Sequence, residues 1–323
     1  MNGDLPNTST SYGFIGLGQM GHGMAKNIRL KIPESSLLVV YDVSQPTMDR
    51  FIKDLAGKKV KAASSPKEVA EYADVIMTSV PQAAHVRDVF LNPATGLLVA
   101  PNSQGRKKLY LELSTIDAAV SAEVAEAVSR GDFGYFVDAP CSGGAMGAEN
   151  GTLSFMIGSP DELYPRVLDI CKLMGKEDGI FHCGGLGSGL KTKLLNNYLS
   201  SLTALATAET FNIGIRAGLD ARNLLKVINA SSGMNFNSKV NNPVPGLTPK
   251  NAASNGYKGG FSIELCLGVL ELAVKAGEDL GAAMPIGKPM LDAYRQVAAD
   301  ERFKGLDSKV IYKWIGGPDP DKN

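Results

Sequence analysis

Nearly continuous apolar runs of strand length recur through the first part of the chain, at 12–18, 37–42, 74–80, 109–114 and 135–140. None alternates apolar with polar positions, so each reads as a strand covered on both faces, the pattern of a parallel sheet. Between them lie helical segments: 66–73, with Ser64 or Ser65 available as a cap, and 116–130, rich in Ala, Glu and Val. Strand and helix in alternation predict right-handed βαβ units and a doubly wound fold. Past Ala145 the pattern changes. Gly151 and Thr152 turn into a strand at 153–157, followed by a helix at 161–174 and a last strand at 179–183. From Ser188 onward only helices are predicted. An unusually long one spans 190–217, and others follow at 221–230, 263–277, 285–299 and 308–315, with an Asn-, Pro- and Gly-rich loop across 233–260. The boundary therefore falls near Gly187. An α/β domain with a mainly parallel sheet takes residues 1–186, and an all-helical domain takes 187–323.

The length of 323 residues, 44% of them hydrophobic, supplies apolar surface for two cores. Lys plus Arg and Asp plus Glu both number 33, which leaves no basic field to hold nucleic acid or an anionic membrane. No apolar run approaches the roughly 20 residues of a membrane-spanning helix. Cys141, Cys171, Cys183 and Cys266 are scattered, with neither C-x-x-C spacing nor the density of a secreted disulfide framework, so a reducing compartment is expected. His22, His85 and His182 show no metal-ligand spacing, and no metal is expected. The stretch 1–11 is polar, lacks an apolar signal core and carries no arginine, and the final Asp321-Lys322-Asn323 matches no address signal. A cytoplasmic location is expected, or the mitochondrial matrix if a presequence has been removed.

Gly16-Leu17-Gly18-Gln19-Met20-Gly21 is a G-x-G-x-x-G that ends one strand and opens a helix. Its glycines allow a tight turn, close approach of backbone to a pyrophosphate, and close packing of helix on strand, while the helix N-terminus offers free N–H groups to phosphates. Six such residues alone are weak evidence, since an ordinary turn also uses glycine. Asp42, at the end of the next strand, lies at the interval where a carboxylate meets ribose hydroxyls, and it repels a 2′-phosphate. Val43, Ser44, Gln45 and Pro46 supply no arginine, so NAD is expected in preference to NADP. This makes the first domain a dinucleotide-binding one of the Rossmann type. Val80-Pro81 and Ser114-Thr115 end strands that should open on the same crevice.

Asp138-Ala139-Pro140-Cys141-Ser142-Gly143-Gly144 follows another strand, and its serine and glycines present N–H groups suited to a carboxylate, or simply turn the chain. The glycine-rich stretch 184–192 resembles a phosphate loop, but Leu190 separates glycine from lysine and breaks the motif. It leads instead into the long helix with Lys191, Lys193, Asn196 and Asn197. Lys193 and Asn197 are four apart and share a face. A lone helical lysine is usually solvated, but Leu194, Leu195, Leu199 and Leu202 make this helix largely apolar, so a lysine near its start would be partly desolvated.

Taken together these segments resemble the β-hydroxyacid dehydrogenases, most closely their 3-hydroxyisobutyrate branch. Four motifs match in order: FIGLGQMGHGMAKN, LSTID, DAPCSGGAMGAENGTLSFMIG and GLGSGLKTKLLNN, with NASSGMNFNSKVNNPVPG typical of that branch. The resemblance spans nearly the whole chain. It implies an oxidoreductase that moves a hydride between NAD and a small 3-hydroxy acid, without metal, the cofactor carrying the chemistry. By position, Lys193 would be the catalytic lysine and Asn197 would hold the substrate or orient that lysine. Ser142, Gly143 and Gly144 would bind the substrate carboxylate. Val80, Pro81 and Thr115 would contact the cofactor, with His85 nearby where the family commonly has asparagine. Phe236 stands where tryptophan is frequent and would line the substrate pocket. A homo-oligomer, dimer or tetramer, is expected from the apolar helices. One departure stands out: the family's Lys-Asp-Leu step reads Gly268-Val269-Leu270 here, removing a positive charge beside the substrate. That change leaves room for an imine reductase or a reductase of bulkier carbonyls. A dinucleotide-binding module without turnover is a third, weaker reading, because both the lysine and the glycine loop are intact.

Overall fold

The computed structural model describes residues 10–100 and 107–321. Most of the polar stretch 1–11 and the last two residues lie outside them. Two compact units divide the chain, Met1–Lys193 and Leu194–Asn323. The division falls within one continuous helix, a few residues beyond the expected turning point at Gly187.

In the first unit the chain runs β1 (Tyr12–Ile15), α1 (Gly21–Lys31), β2 (Leu38–Tyr41), α2 (Gln45–Asp54), β3 (Val60–Ala62), α3 (Pro66–Tyr72), β4 (Val75–Thr78), α4 (Ala83–Leu91), β5 (Lys108–Glu112), α5 (Ala118–Arg130), β6 (Gly134–Asp138), β7 (Cys141–Ser142), α6 (Gly144–Asn150), β8 (Leu153–Gly158), α7 (Tyr164–Lys172) and β9 (Gly175–Gly184). The first six strands pair in parallel in the order 3-2-1-4-5-6, with Tyr12 beside Leu38 on one side and Val75 on the other. β8 joins β6 antiparallel, and β7 and β9 pair with β8. The chain reverses its direction of winding between β1 and β4, and at such a switch point the carboxyl ends of the strands open a crevice.

The absence of in/out alternation has its cause in two cores. Phe14, Val40, Met77, Leu111 and Val137 face one core, with Met24, Ile28 and Phe51 from α1 and α2. Their neighbours Ile15, Val39, Ile76, Tyr110 and Phe136 face the other, with Val86, Phe90, Val120 and Val124 from α4 and α5. Each fully buried side chain of this size stabilises the fold by about 1.5–3 kcal/mol. β1 is shorter than its apolar run because the chain leaves the ladder after Ile15, where Gly16 turns with φ +93°. β3, α2 and α4 were not anticipated. β3 holds only Val60, Lys61 and Ala62, too few residues for a pattern.

The second unit is built from helices: the rest of α8 (Ser188–Arg216), then α9 (Ala221–Asn229), α10 (Phe236–Lys239), α11 (Ile263–Asp279), α12 (Gly287–Ala299) and α13 (Ile311–Trp314). Phe211 and Ile215 of α8, Ile263, Leu270 and Val274 of α11, and Leu291, Tyr294 and Val297 of α12 form its core. Leu195, Leu199 and Ile213 of α8 are exposed. The loop expected at 233–260 contains α10, because Asn235 caps it: the Asn235 carboxamide accepts the N–H groups of Asn237 and Ser238, and the Ser238 hydroxyl accepts that of Asn235. Residues 308–310 form a 3₁₀ turn ahead of α13 instead of joining a longer helix. Among the described residues no helix is long and apolar enough to cross a membrane.

Candidate active site

At the carboxyl ends of β1, β2, β4 and β5 the first unit gathers most of the residues that the sequence singles out. The three loop glycines have three separate reasons. A Cβ on Gly16 would sit 2.1 Å from the Ser79 carbonyl oxygen, and one on Gly21 would sit 1.8 Å from the Gly16 carbonyl oxygen, so both are forced by packing. A Cβ on Gly18 would meet nothing within 4 Å. Packing does not require glycine there, and an open backbone of this kind is what close approach by a pyrophosphate would need. The open space over Gly18, at the start of α1, therefore fits a dinucleotide. Gln19 is exposed and Met20 half-buried. A cavity of about 430 Å³ beside the loop is lined by Gly18 and Gln19 and by charges of both signs, Lys26, Arg50, Asp54 and Glu149.

Asp42 follows β2. One carboxylate oxygen accepts the Leu17 N–H at 2.7 Å, and the other accepts the Ser44 N–H at 2.8 Å. The acid is thereby locked to the glycine loop, at the edge where a ribose would lie. Val80 and Pro81 follow β4, and the Val80 N–H donates to the Ser114 hydroxyl at 2.8 Å. Thr115, next in the chain, is half-buried, and His85 is exposed on the first turn of α4.

The serine-glycine loop lies on the same unit. Cys141 and Ser142 pair with β8, and Gly143 and Gly144 take φ +136° and +66°, turning the chain into α6. α6 packs on the dinucleotide helix α1. The Asn27 amide donates to the carbonyls of Ala148 and Glu149, and a Cβ on Gly23 would sit 2.6 Å from the Glu149 nitrogen. The expected carboxylate loop is thus tied directly to the expected phosphate helix.

Lys193 is buried, 7% exposed, near the start of α8. Burial pushes its pKa down, opposed weakly by the Cys141 thiol, which is itself pushed up to about 11 by burial. Among the described residues no carboxylate forms an ion pair with it. The structure therefore brings Lys193 against the loop that begins at Cys141. A desolvated amine free of a counter-charge gives up its proton more readily than a solvated one.

What holds that helix was not legible beforehand. Asp138, the fully buried last residue of β6, accepts the N–H groups of Gly187 at 2.6 Å and Leu190 at 2.8 Å. Burial raises it to about 6, against the pull of those N–H groups. A Cβ on Gly189 would sit 2.2 Å from the Met156 carbonyl oxygen, so this glycine lets the helix start approach β8. The loop that resembles a phosphate motif is a docking device for α8. Asp138 stands in a segment that the sequence analysis quoted, but its partners lie about fifty residues away.

Asn197, half-buried, stands one turn beyond Lys193 on α8. In the second unit, Phe236 opens α10 and is 58% exposed. On α11 a Cβ at Gly268 would meet nothing within 4 Å, and Val269 packs with Leu194 and Ala273 in a small apolar cluster. Among the described residues no group of His, Cys, Asp and Glu could hold a metal ion.

Two family models divide the chain between them. Residues 11–185 match the NAD binding domain of 6-phosphogluconate dehydrogenase, and residues 187–315 match the NAD-binding domain of NADP-dependent 3-hydroxyisobutyrate dehydrogenase. The mitochondrial 3-hydroxyisobutyrate dehydrogenase of Mus musculus is 34% identical over 97% of this chain and 89% of its own. The 3-hydroxyisobutyrate dehydrogenase of Pseudomonas aeruginosa is 35% identical over 96% of this chain and 100% of its own. The solved structure of the Mycobacterium tuberculosis 3-hydroxyisobutyrate dehydrogenase with L-serine is 30% identical, with a TM-score of 0.82 over 95% of this chain and 99% of that one. An imine reductase from Pseudomonas sp., 16% identical with a TM-score of 0.55, covers 95% of this chain and 100% of its own and shares the fold alone. By the two family models and by these relatives, which match nearly its whole length, this chain belongs to the β-hydroxyacid dehydrogenase family, as a relative of the 3-hydroxyisobutyrate dehydrogenases.

Proposed function

We propose that this protein oxidises a small 3-hydroxy acid of the 3-hydroxyisobutyrate type, with Lys193 exchanging the hydroxyl proton and NAD preferred over NADP. The observation that carries the reading is Lys193 itself. It is buried near Cys141, the residue before Ser142, with its pKa lowered and, among the described residues, no carboxylate paired to it. When bound, the nicotinamide supplies the hydride acceptor. The residues do the rest. N–H groups of Ser142, Gly143 and Gly144 hold the substrate carboxylate, and Asn197 orients the substrate or the lysine. The neutral amine of Lys193 takes the hydroxyl proton as the oxygen becomes a carbonyl, and returns it in reduction. Asp42, with one oxygen on the Leu17 N–H of the glycine loop and the other on the Ser44 N–H, repels a 2′-phosphate and supports NAD.

A second reading concerns the substrate's far end. By the resemblance, Gly268 and Val269 replace the family's charged pair, and the loss of that positive charge favours a bulkier carbonyl or an imine. One experiment addresses both: nicotinamide absorbance is followed with NAD or NADP against 3-hydroxy acids of increasing chain length, with Lys193→Ala alongside. Turnover with NAD should fall by about two to four orders of magnitude in the variant, as expected for a lost proton-transfer group. A variant that keeps most of its turnover would remove Lys193 from the mechanism.

A further inference from the structure

A carboxylate that this mechanism does not use lies beneath the cofactor crevice. The β4–β5 ladder pairs apolar residues, Val75 with Leu109, Ile76 with Tyr110 and Met77 with Leu111, until its last step, where Thr78 stands beside Glu112. Both side chains are fully buried, and Ser114 is 5% exposed. The Glu112 carboxylate accepts the Thr78 hydroxyl on one oxygen and the Ser114 N–H at 2.7 Å on the other. The Ser114 hydroxyl in turn accepts the Val80 N–H at 2.8 Å. One acid thus ties together the ends of two strands and the two turns, 79–81 and 113–115, that leave them for the crevice.

A purely structural link would not need a carboxyl group. Removing a carboxylate from water with no cation beside it is costly, and an apolar pair like the three before it would close the sheet at lower cost. What an apolar pair could not do is hold a turn N–H from each strand in one orientation. Burial raises the acid to about 7, which is the cost of keeping it there.

We propose that Glu112 is a positioning residue of the dinucleotide site: through Thr78 and Ser114 it holds Val80 and Thr115 in the geometry that receives the nicotinamide half of the cofactor. The switch point between β1 and β4 places the adenosine half toward Asp42 and the other half toward β4 and β5. The inference rests on the reading of that crevice as the dinucleotide site, not on the identity of the hydroxy acid.

The test is the affinity for NADH, read by the nucleotide's fluorescence without any substrate, for Glu112→Leu, Glu112→Gln and Ser114→Ala. Glu112→Leu should weaken binding by about tenfold, the effect of one lost hydrogen bond at the site, and raise KM for the dinucleotide more than it lowers kcat. Glu112→Gln keeps an acceptor for Ser114 and an amide for Thr78, so it should recover most of the affinity. Ser114→Ala, which strands the Val80 N–H, should weaken binding several-fold, and its effect should not add to that of Glu112→Gln if the groups act as one network. If Glu112→Leu fails to fold, Ser114→Ala and the double variant carry the same test. Unchanged NADH affinity in Ser114→Ala and Glu112→Gln, alone and combined, overturns the proposal even where thermal stability falls. A wild type that binds no nicotinamide dinucleotide overturns it together with the proposed function.

Discussion

Asp138→Asn is the substitution that best separates the helix-docking argument from a general loss of packing. The side chains are nearly identical in shape, and the site has no spare room: a Cβ on Gly158 would sit 2.4 Å from the Asp138 carboxylate. The wild-type carboxylate accepts the Gly187 and Leu190 N–H groups, one on each oxygen. An asparagine has one carbonyl oxygen for two donors, and its NH₂ must face an N–H. One buried donor is left unsatisfied, at about 1–3 kcal/mol. The lost charge relieves part of the desolvation that lifts Asp138 to about 6, so the net loss is about 1–2 kcal/mol. Activity should suffer further, because the freed helix start carries Lys193, and a displacement of about 1 Å at a reacting group costs on the order of a hundredfold in rate. Urea unfolding gives the first quantity, and kcat in the folded variant gives the second. If both match wild type, Asp138 does not anchor α8 and Lys193 is placed by other contacts.

Stability should also fall as pH rises from about 4 to 7, since Glu112 and Asp138, raised to about 7 and about 6, are easier to bury neutral than ionised, an effect of up to about 3 kcal/mol for each. Their contribution is complete below pH 4 and lost as each ionises; Glu68, lowered to about 2 by Lys61 and Ser64, acts in the opposite sense and only below about pH 4.5. Urea unfolding across this range should show a flatter profile for Glu112→Gln, and an equal slope in both proteins would sink the assignment. On α11, Gly268→Lys should be tolerated, because its Cβ enters open space, while Val269→Asp buries a carboxylate against Leu194 and Ala273 and should cost about 2–4 kcal/mol. Thermal unfolding ranks the two, and the reverse order would show that the apolar cluster contributes little.

Much of this was encoded locally. The uninterrupted apolar runs specified strands buried on both faces, because each residue in such a strand needs a core on its own side of the sheet. Gly16 and Gly21 specified the tight turn, since the neighbouring strand and the turn itself exclude a Cβ there, while Gly18 leaves the backbone open. The apolar residues after Lys193 announced a helix, but Leu195 and Leu199 are exposed and are not what buries the lysine. Other features had no local signal. β3 is three residues long, and α10 hides in an Asn-rich stretch because its capping box, not hydrophobic periodicity, defines it. The settings of the site are the clearest case. Glu112 meets Thr78 across 34 residues and Asp138 meets Gly187 across 49, and neither looks unusual among its sequence neighbours. Periodicity and backbone conformation are properties of adjacent residues, so the sequence by itself determined the elements and the glycine loop. Burial of a charge, its partners and its pKa depend on which strand ends meet in space, and only the tertiary structure decided those.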